Sequence, residues 1–325
     1  MASGMAQHRI VAAAPPAALG SPAPAAAIAP PQHPCNGSYG SSSSQSPRRR
    51  LPLDDDARAP PPSRVASAPV HTPAAAAVAA PECGLPAALV ESAAREVLDA
   101  WNAFASAIDH SEADGWYAHS EKQGVQIFLN ATRDAGCTHC LGVGDVDAPA
   151  SVLCAAMNSD DLRPTTDKQW LKTTTLATLP PSAMALGDAE WDVFALEIET
   201  STYKSVAPPF VAARDAFVVK AKARHTPTGR TRAVMKSLGA AHADALGCTP
   251  PRGYVRVNVI CGGFDAVPID ADRCEMRYVN MVDPNGRLPS SVVAITVPDR
   301  AMAVARARLI VADRSQWAQL EAAGP

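Results

Sequence analysis

The chain has 325 residues, with 29 basic and 32 acidic side chains and a formal net charge of −3. This near balance excludes the strong electrostatic field that favours nucleic acid or an anionic membrane, so we expect no nucleic-acid partner. We also expect no membrane-spanning helix, because the sequence contains no run of about 18 apolar residues.

Residues 1–86 differ in composition from the rest of the chain. They hold 16 of the 30 prolines and a single aromatic residue, Tyr39, whereas all five tryptophans come later. A segment this poor in large apolar groups cannot offset the ordering entropy of its backbone, about 1–2 kcal/mol per residue. We therefore predict a disordered Ala/Pro/Ser-rich tail over residues 1–86. Its first acidic residue is Asp54, so an organelle-targeting segment is the alternative interpretation.

Eight cysteines are scattered through the sequence, which is not the dense spacing of a disulfide-stabilised secreted domain. We expect reduced thiols and a cytoplasmic location, unless the tail directs the chain to an organelle. Cys137 and Cys140 resemble half of a zinc site, but the sequence lacks a second such pair. Residues i and i+3 of a strand also point to opposite faces. The sequence therefore predicts no metal and no cofactor.

The first elements after the tail are a helix and a set of short strands. Apolar residues at helical spacing predict a helix over 87–108. Pro149 is placed to begin a second, short helix that runs to Met157, since proline is tolerated in a first helical turn. Between these helices, extended segments are predicted over Trp116–His119, Val125–Asn130 and Cys137–Val146.

The second half of the chain is dominated by extended segments that alternate in polarity. In one of them Phe217 and Val219 fall on one face, and Lys220 and Lys222 on the other. The predicted segments are Trp191–Lys204, Ala216–Arg224, Thr231–Leu238, Tyr254–Cys261 and Arg273–Val282. A long helix over Leu288–Asp313 follows, which Pro298 should kink. Its arginines, Arg300, Arg306 and Arg308, fall mostly outside the apolar stripe.

This order of elements predicts an α+β fold in which a curved antiparallel sheet grips the C-terminal helix. Such a sheet cannot close on a straight helix without leaving internal space. A space lined by apolar side chains with a few polar ones is a standard ligand cavity. We therefore expect a void on the order of several hundred cubic ångströms beneath the last helix.

Seven short motifs occur in order along these elements. The most specific is the last, in which the strand Tyr278–Asp283 leads through Gly286-Arg287-Leu288-Pro289 into a helix that contains Val297-Pro298. The others are Lys168-Gln169-Trp170, Tyr203, Ala213–Val218, Lys236-Ser237, Gly253–Arg256 and Gly262-Gly263-Phe264. With these motifs in this order and spacing, residues 87–313 resemble a START (StAR-related lipid-transfer) domain.

The resemblance implies a helix-grip fold with an internal hydrophobic cavity, and a monomeric intracellular protein that binds or transfers lipid without being an enzyme. It implies one phospholipid, sterol or related apolar molecule held non-covalently, with transient contact to membrane surfaces. Burial of such a ligand yields about 25 cal/mol per Å² of apolar surface, so its release requires a membrane and movement of a lid. The chain then divides into the tail (1–86), a lipid-binding domain (87–315) and a short C-terminal tail (316–325).

Two ligand contacts of the START family are altered in this chain. Choline-phospholipid carriers have a phosphate-binding arginine where this chain has Asp167, which indicates that this clamp is lost. Sterol carriers pair a buried acid with a basic residue, and here Lys220 stands at the basic position while Ser201 falls near the acidic one. Because a buried charge without a partner is unfavourable, Lys220 is expected to pair with Glu197, Glu199 or a lipid headgroup.

Several side chains are candidates for contact with the ligand. Polar groups on apolar strands need partners, because a buried unpaired amide costs about 1–3 kcal/mol; the partner is a headgroup, water or the backbone. His242, in a predicted loop, is either a headgroup contact or an exposed histidine. The predicted ligand-binding residues are Tyr203, Arg214, Lys220, His242, Asn258, Tyr278, Asn280, and Val292 and Val293 of the lid.

Two other functions fit the same sequence. A helix-grip enzyme, such as a cyclase or hydrolase of hydrophobic small molecules, would need acid and base groups that converge in the cavity. Only Asp192, Lys220 and His242 offer such groups, so their clustering would favour an enzyme. A lipid-responsive sensor or adaptor would bind lipid without moving it and would recruit partners through the tail.

Overall fold

The computed structural model describes residues 84–130, 138–208, 210–286, 288 and 290–323. The tail predicted over residues 1–86 therefore lies almost entirely outside the described residues, as does Cys137. No helix within these described ranges is both long enough and apolar enough to span a bilayer.

The described chain opens with helix α1, Ala87–Asp109, as the apolar spacing predicts. Its buried face combines small alanines with large side chains that include Val97, Trp101 and Phe104. The helix ends at His110, whose backbone is left-handed with φ of 36°. This cap allows the chain to leave the helix sharply and enter the first strand.

Within the described residues, ten strands form one sheet. They are β1 (Trp116–Lys122), β2 (Val125–Asn130), β3 (Thr138–Val146), β4 (Trp170–Leu179), β5 (Trp191–Tyr203), β6 (Ala213–His225), β7 (Thr231–Ser237), β8 (Tyr254–Arg256), β9 (Asn258–Pro268) and β10 (Cys274–Asp283). Their order across the sheet is β1-β2-β3-β10-β9-β7-β6-β5-β4. The described pairings along this path are antiparallel, and the short strand β8 adds a parallel pairing to β6.

Most strands lie within a few residues of their predicted positions, with two differences. The segment predicted over Tyr254–Cys261 forms two strands, β8 and β9, and β9 continues to Pro268. Strand β4 is absent from the sequence-based prediction. It contains three consecutive threonines, Thr173–Thr175, and most of its residues are exposed or half-buried. The apolar alternation that marks a half-buried strand is therefore missing at this edge of the sheet.

Helices cover both faces of the sheet. After α1 they are α2 (Ala150–Asn158), α3 (Arg163–Thr166), α4 (Ala240–Ala245), α5 (Ser290–Ala301), α6 (Ala303–Val311) and α7 (Trp317–Ala323). Adjacent strand residues divide between two cores: Val279 packs with α1, whereas Tyr278 packs with α2 and α6. Residues 316–325, expected as a short tail, include α7, whose Trp317 and Leu320 pack against the second core.

The C-terminal segment forms two helices where the sequence predicts one. Pro298 lies inside α5 without ending it. The break comes at Met302, whose N–H donates to the Asp299 carbonyl three residues earlier, at 3.2 Å. At the same point the helix lies directly on β3, since a Cβ added to Gly142 would be 2.3 Å from the Ala301 carbonyl oxygen. Only glycine at position 142 permits this approach of helix to strand.

Gly142→Ala should destabilise the domain, because the added methyl group would collide with the Ala301 carbonyl. Over-packing of this kind costs about 1–3 kcal/mol. In a domain of this size the midpoint of thermal unfolding falls by roughly 2–4 °C per kcal/mol, which circular dichroism measures. Gly187→Ala is the matched control, since no atom lies within 4 Å of its added Cβ. Equal midpoints for the two variants would contradict the close approach.

Candidate functional site

A cavity of about 180 Å³ lies between the curved sheet and helix α5. One water molecule needs about 10–15 Å³ of such space, so the cavity is far larger than an ordinary packing defect. It is smaller than the several hundred cubic ångströms expected from the sequence. The structure therefore has a cavity beneath the C-terminal helix, and its volume is smaller than the sequence-based expectation.

Most of the cavity wall is apolar. It is formed by strands β6, β7, β9 and β10, by the loop between β5 and β6, and by the inner face of α5. The apolar side chains are Val206, Val211, Ala212, Ala216, Met235, Val257, Val259, Val282, Pro284, Leu288, Val292 and Val297. Such a wall binds hydrocarbon by removing it from water.

One end of the cavity is polar, and we call it the polar pole. It is formed by Arg163, Asp167, Gln169, Tyr203, Tyr278 and Arg300. Arg300 of α5 donates to Asp167 Oδ2 at 2.8 Å and to Gln169 Oε1 at 2.7 Å. These two bonds connect α5 to the segment between α3 and β4. Burial alone would lower the pKa of Arg300, but Asp167 and Tyr278 are among the neighbours that raise it.

Arg163 supplies a second cation to the polar pole. Its Nη1 donates to Thr173 Oγ1 at 3.2 Å, and its guanidinium lies 5.9 Å from the centre of the Trp170 ring. Thr173 Oγ1 lies 2.8 Å from Ser201 Oγ, which extends the polar contacts into β5. Among the described residues, no carboxylate forms an ion pair with Arg163. The cavity therefore contains a guanidinium without an ion pair, although the nearby charges of Glu199 and Asp167 help to raise its pKa.

Five of the nine predicted ligand-binding residues line the cavity: Tyr203, Arg214, Tyr278, Asn280 and Val292. Burial raises the pKa of Tyr278 to about 12, so its hydroxyl keeps its proton and can donate a hydrogen bond. Arg214 donates from Nε to the Pro284 carbonyl at 3.0 Å, and this bond joins β6 to the segment that precedes α5. Contact of these five residues with a ligand stays a prediction.

The other four predicted residues, Lys220, His242, Asn258 and Val293, are absent from the described wall of the cavity. His242 was expected in a loop, but it lies in α4. There it is buried, and its Nε2 lies 3.0 Å from the Leu89 carbonyl oxygen of α1. Asn258 is exposed at the start of β9, so it does not need a buried partner. Val293 is half-buried on α5.

Lys220 forms a buried ion pair with Glu199, the second of the three expected partners. Its Nζ lies 3.5 Å from Glu199 Oε1, and the two side chains are 6% and 8% exposed. Next to them, Lys222 Nζ lies 3.0 Å from Glu197 Oε2. Burial lowers the pKa of Lys220, although the Glu199 charge opposes this shift. Glutamates of β5 thus neutralise Lys220 and Lys222 of β6, whereas Arg224 farther along the strand is exposed.

The three residues that could support an enzyme do not converge within the described chain. Asp192 is exposed near the start of β5, whereas His242 contacts α1 and Lys220 is paired with Glu199. This arrangement offers no common acid and base pair.

The sequence-based prediction missed both arginines of the polar pole. Arg163 belongs to no element that the sequence predicts, and Arg300 is expected outside the apolar stripe of its helix. One signal was available: Asp167, placed by its motif near the ligand, requires a cationic partner. That signal does not identify which of the 29 basic residues provides it.

Comparisons with known proteins identify the fold. No family model matches the sequence, and no curated protein sequence matches it. The crystal structure of human STARD10 is 18% identical over 67% of this chain and 80% of that chain, with a TM-score of 0.54. Human StAR-related lipid transfer protein 5 is 17% identical over 69% of this chain and 99% of that chain, with a TM-score of 0.55. The chain thus has the START fold, which confirms the α+β helix-grip prediction and the resemblance.

Glu199→Gln should lower the free energy of unfolding by about 3–5 kcal/mol, because it leaves Lys220 buried without a counter-charge. Urea titration at neutral pH measures this loss. The loss should shrink toward pH 10. The pKa of Lys220 is lower in the folded than in the unfolded chain, where it is about 10.4, so stability rises as pH passes from the folded to the unfolded value.

Glu96→Gln is the matched control for this measurement. Its partner Lys236 lies 3.1 Å away in a pair whose side chains are 27% and 42% exposed. Pairs of this kind contribute about 0–1 kcal/mol. Similar losses in the Glu199 and Glu96 variants would show that burial of the Lys220 pair has no energetic consequence.

Proposed function

We propose that this chain binds one lipid-like amphiphile in the cavity and transfers it between membranes. The observation that carries the proposal is the cavity itself, which combines an apolar wall with a polar pole beneath one helix. The fold supports it, since one structural neighbour is named a lipid transfer protein. Among the described residues, the three candidates for an enzyme, Asp192, Lys220 and His242, do not converge.

The polar pole determines the orientation of the ligand in the cavity. Hydrocarbon placed along the apolar wall gains about 25 cal/mol per Å² of buried surface, while the head lies near Arg163, Tyr203 and Tyr278. A guanidinium donates strong, charge-assisted hydrogen bonds to carboxylate and phosphate oxygens. The preferred head is therefore a hydrogen-bond acceptor, and an anionic one is favoured over a neutral one.

The volume of the cavity limits how a ligand enters. Pockets for small ligands typically measure about 300–1,000 Å³, which exceeds the 180 Å³ observed. Helix α5 must therefore move outward to admit a lipid, and the break at Met302 supplies a hinge between α5 and α6. A compact, single-chain amphiphile demands the smallest movement.

The remaining expectations form part of the same proposal. Residues 87–315 are proposed as the lipid-binding domain, with α7 packed on it, and residues 1–86 as a tail without a fold of its own. The protein is proposed to act as a cytoplasmic monomer that contacts membranes transiently and performs no chemistry on its ligand.

Large apolar side chains at the cavity entrance support contact with membranes. Phe210 is 87% exposed in the loop between β5 and β6, and the same loop places Val206 and Val211 in the cavity wall. Ile295 is 74% exposed on the outer side of α5. Exposed apolar groups beside a ligand entrance are typical of surfaces that dock on membranes or partners.

Val292→Trp should reduce transfer, because the larger side chain fills the cavity from the inner face of α5. The assay uses the 325-residue chain with donor vesicles of phosphatidylcholine that contain a pyrene-labelled fatty acid, and unlabelled acceptor vesicles. Transfer by the variant should fall about tenfold, the effect of a 1.4 kcal/mol loss of binding free energy. Leu309→Trp is the control and should retain transfer, because Leu309 is 66% exposed on α6 and does not line the described cavity. Equal rates for both variants, or no acceleration by the unmodified chain, would contradict the proposal.

Phe210→Ser should slow transfer by about tenfold or more, because a buried phenylalanine contributes roughly 1.5–3 kcal/mol to insertion into an apolar phase. Binding of the same fatty acid without vesicles should be unaffected. Ile269→Ser is the matched control: Ile269 is 45% exposed in the connection between β9 and β10, at the far end of these strands from the cavity. If both variants slow transfer equally, the loop is not the membrane contact.

A further inference from the structure

Asp167 lies between two arginines of the polar pole and pairs with one of them. Its Oδ2 accepts from Arg300 Nη1 at 2.8 Å, and its Oδ1 accepts from the backbone N–H of Gln169 at 3.0 Å. Its own N–H donates to the Arg163 carbonyl at 2.8 Å. This bond closes the single turn of α3, at which Asp167 is the C-terminal cap with an extended backbone.

The charge of Asp167 acts on both arginines. Burial alone would lower the pKa of Arg163, but neighbours that include Tyr203 and Asp167 raise it above its usual value. Arg300 is affected in the same way. Elsewhere in the described chain one carboxylate, Asp265, pairs with two arginines at once, but Asp167 forms an ion pair with Arg300 alone among the described residues. In the structure it pairs with Arg300, while the guanidinium of Arg163 donates to the Thr173 hydroxyl.

We propose that Asp167 exchanges between Arg300 and Arg163, and that this exchange couples closure of α5 to the binding of an anionic amphiphile. This inference rests on the proposed function of the cavity. With α5 closed, Arg300 holds Asp167, and Arg163 is available to a carboxylate or phosphate group of the ligand. As α5 turns outward about the break at Met302, the long side chain of Arg300 turns with it and its bond to Asp167 opens. Asp167 then turns to Arg163 and competes with the anion for the same guanidinium.

The coupling works in both directions, as any linkage between two equilibria must. An anion on Arg163 displaces Asp167, which favours its pairing with Arg300 and hence the closed position of α5. A neutral amphiphile does not displace Asp167 and gives α5 no such preference. An anionic ligand therefore stabilises the closed conformation more than the open one, in which Asp167 competes with it for Arg163.

Four forms of the 325-residue chain test the exchange: the unmodified protein, Arg300→Gln, Asp167→Asn/Arg300→Gln, and the control Arg306→Gln. Calorimetry gives the affinity for oleate and for oleyl alcohol, which share one tail and differ in the charge of the head. The unmodified chain should prefer oleate by about tenfold, a usual size for such coupling. Arg300→Gln should abolish the preference, since Asp167 then pairs with Arg163. The double variant should restore it, because no carboxylate competes.

The double variant separates the exchange from simpler explanations. If Arg300 binds the anion directly, the double variant stays as unselective as Arg300→Gln, and the proposal is overturned. The same ratio of affinities in all four forms also overturns it. Arg306→Gln removes a cation from α6 that pairs with Asp299, outside the polar pole, and should keep the preference. Thermal unfolding confirms that each variant is folded.

Hydrogen exchange provides a second measurement that needs no ligand. Amides of α5 should exchange faster in Arg300→Gln than in the unmodified chain, whereas those of α1 should not change. Equal exchange in α5 would show that Arg300 does not hold the helix, and would overturn the coupling. If neither oleate nor oleyl alcohol binds the unmodified chain, the proposed function fails, and this outcome is distinct from binding without selectivity.

Discussion

Helix α5 is anchored to the sheet near its C-terminal end, and the functional architecture depends on this constraint. There the Ala301 carbonyl lies against Gly142 of β3, and Arg300 is bonded to Asp167 and Gln169. The preceding turns, with Val292 and Val297, form a wall of the cavity. A curved sheet and a straight helix that meet closely at one point diverge elsewhere. This divergence produces the cavity and leaves the N-terminal turns of α5 as the part of its wall that can move.

The interior of this domain is unusually rich in charge for a cavity proposed to hold lipid. Lys220 and Lys222 are neutralised by glutamates of the neighbouring strand, which confines their effect to the sheet. Arg163 has no such carboxylate partner in the described chain. Its guanidinium donates to the Thr173 hydroxyl, so its other donors are available to a ligand. Because Arg163 has free donors and the two lysines are neutralised, the cavity orients its ligand with the head toward Arg163 and favours an anionic head.

Much of the fold could be predicted from the sequence, because it depends on local periodicity and on motifs. The alternation around Phe217 and Val219 predicts β6, and the motif that ends near Asp283 predicts the strand before α5. Strand β4 could not be predicted, since its threonines carry no apolar alternation.

The site was predicted in part. Tyr203, Tyr278 and Val292 lie on recognisable motifs, whereas only the folded chain brings Arg163 and Arg300 to the same cavity. The direction of their side chains depends on contacts between residues more than 130 positions apart, such as Arg300 with Asp167. The position of His242 was wrong because the short helix α4 has no strong apolar periodicity.

The central claim is that the hollow beneath α5 holds a single amphiphile. Nondenaturing mass spectrometry of the 325-residue chain, purified without detergent and then incubated with vesicles of mixed cellular lipids, tests it most directly. The account predicts a species heavier than the chain by the mass of one lipid, which is released on unfolding and enriched in anionic heads. A spectrum that shows the bare chain alone, before and after incubation, would contradict it.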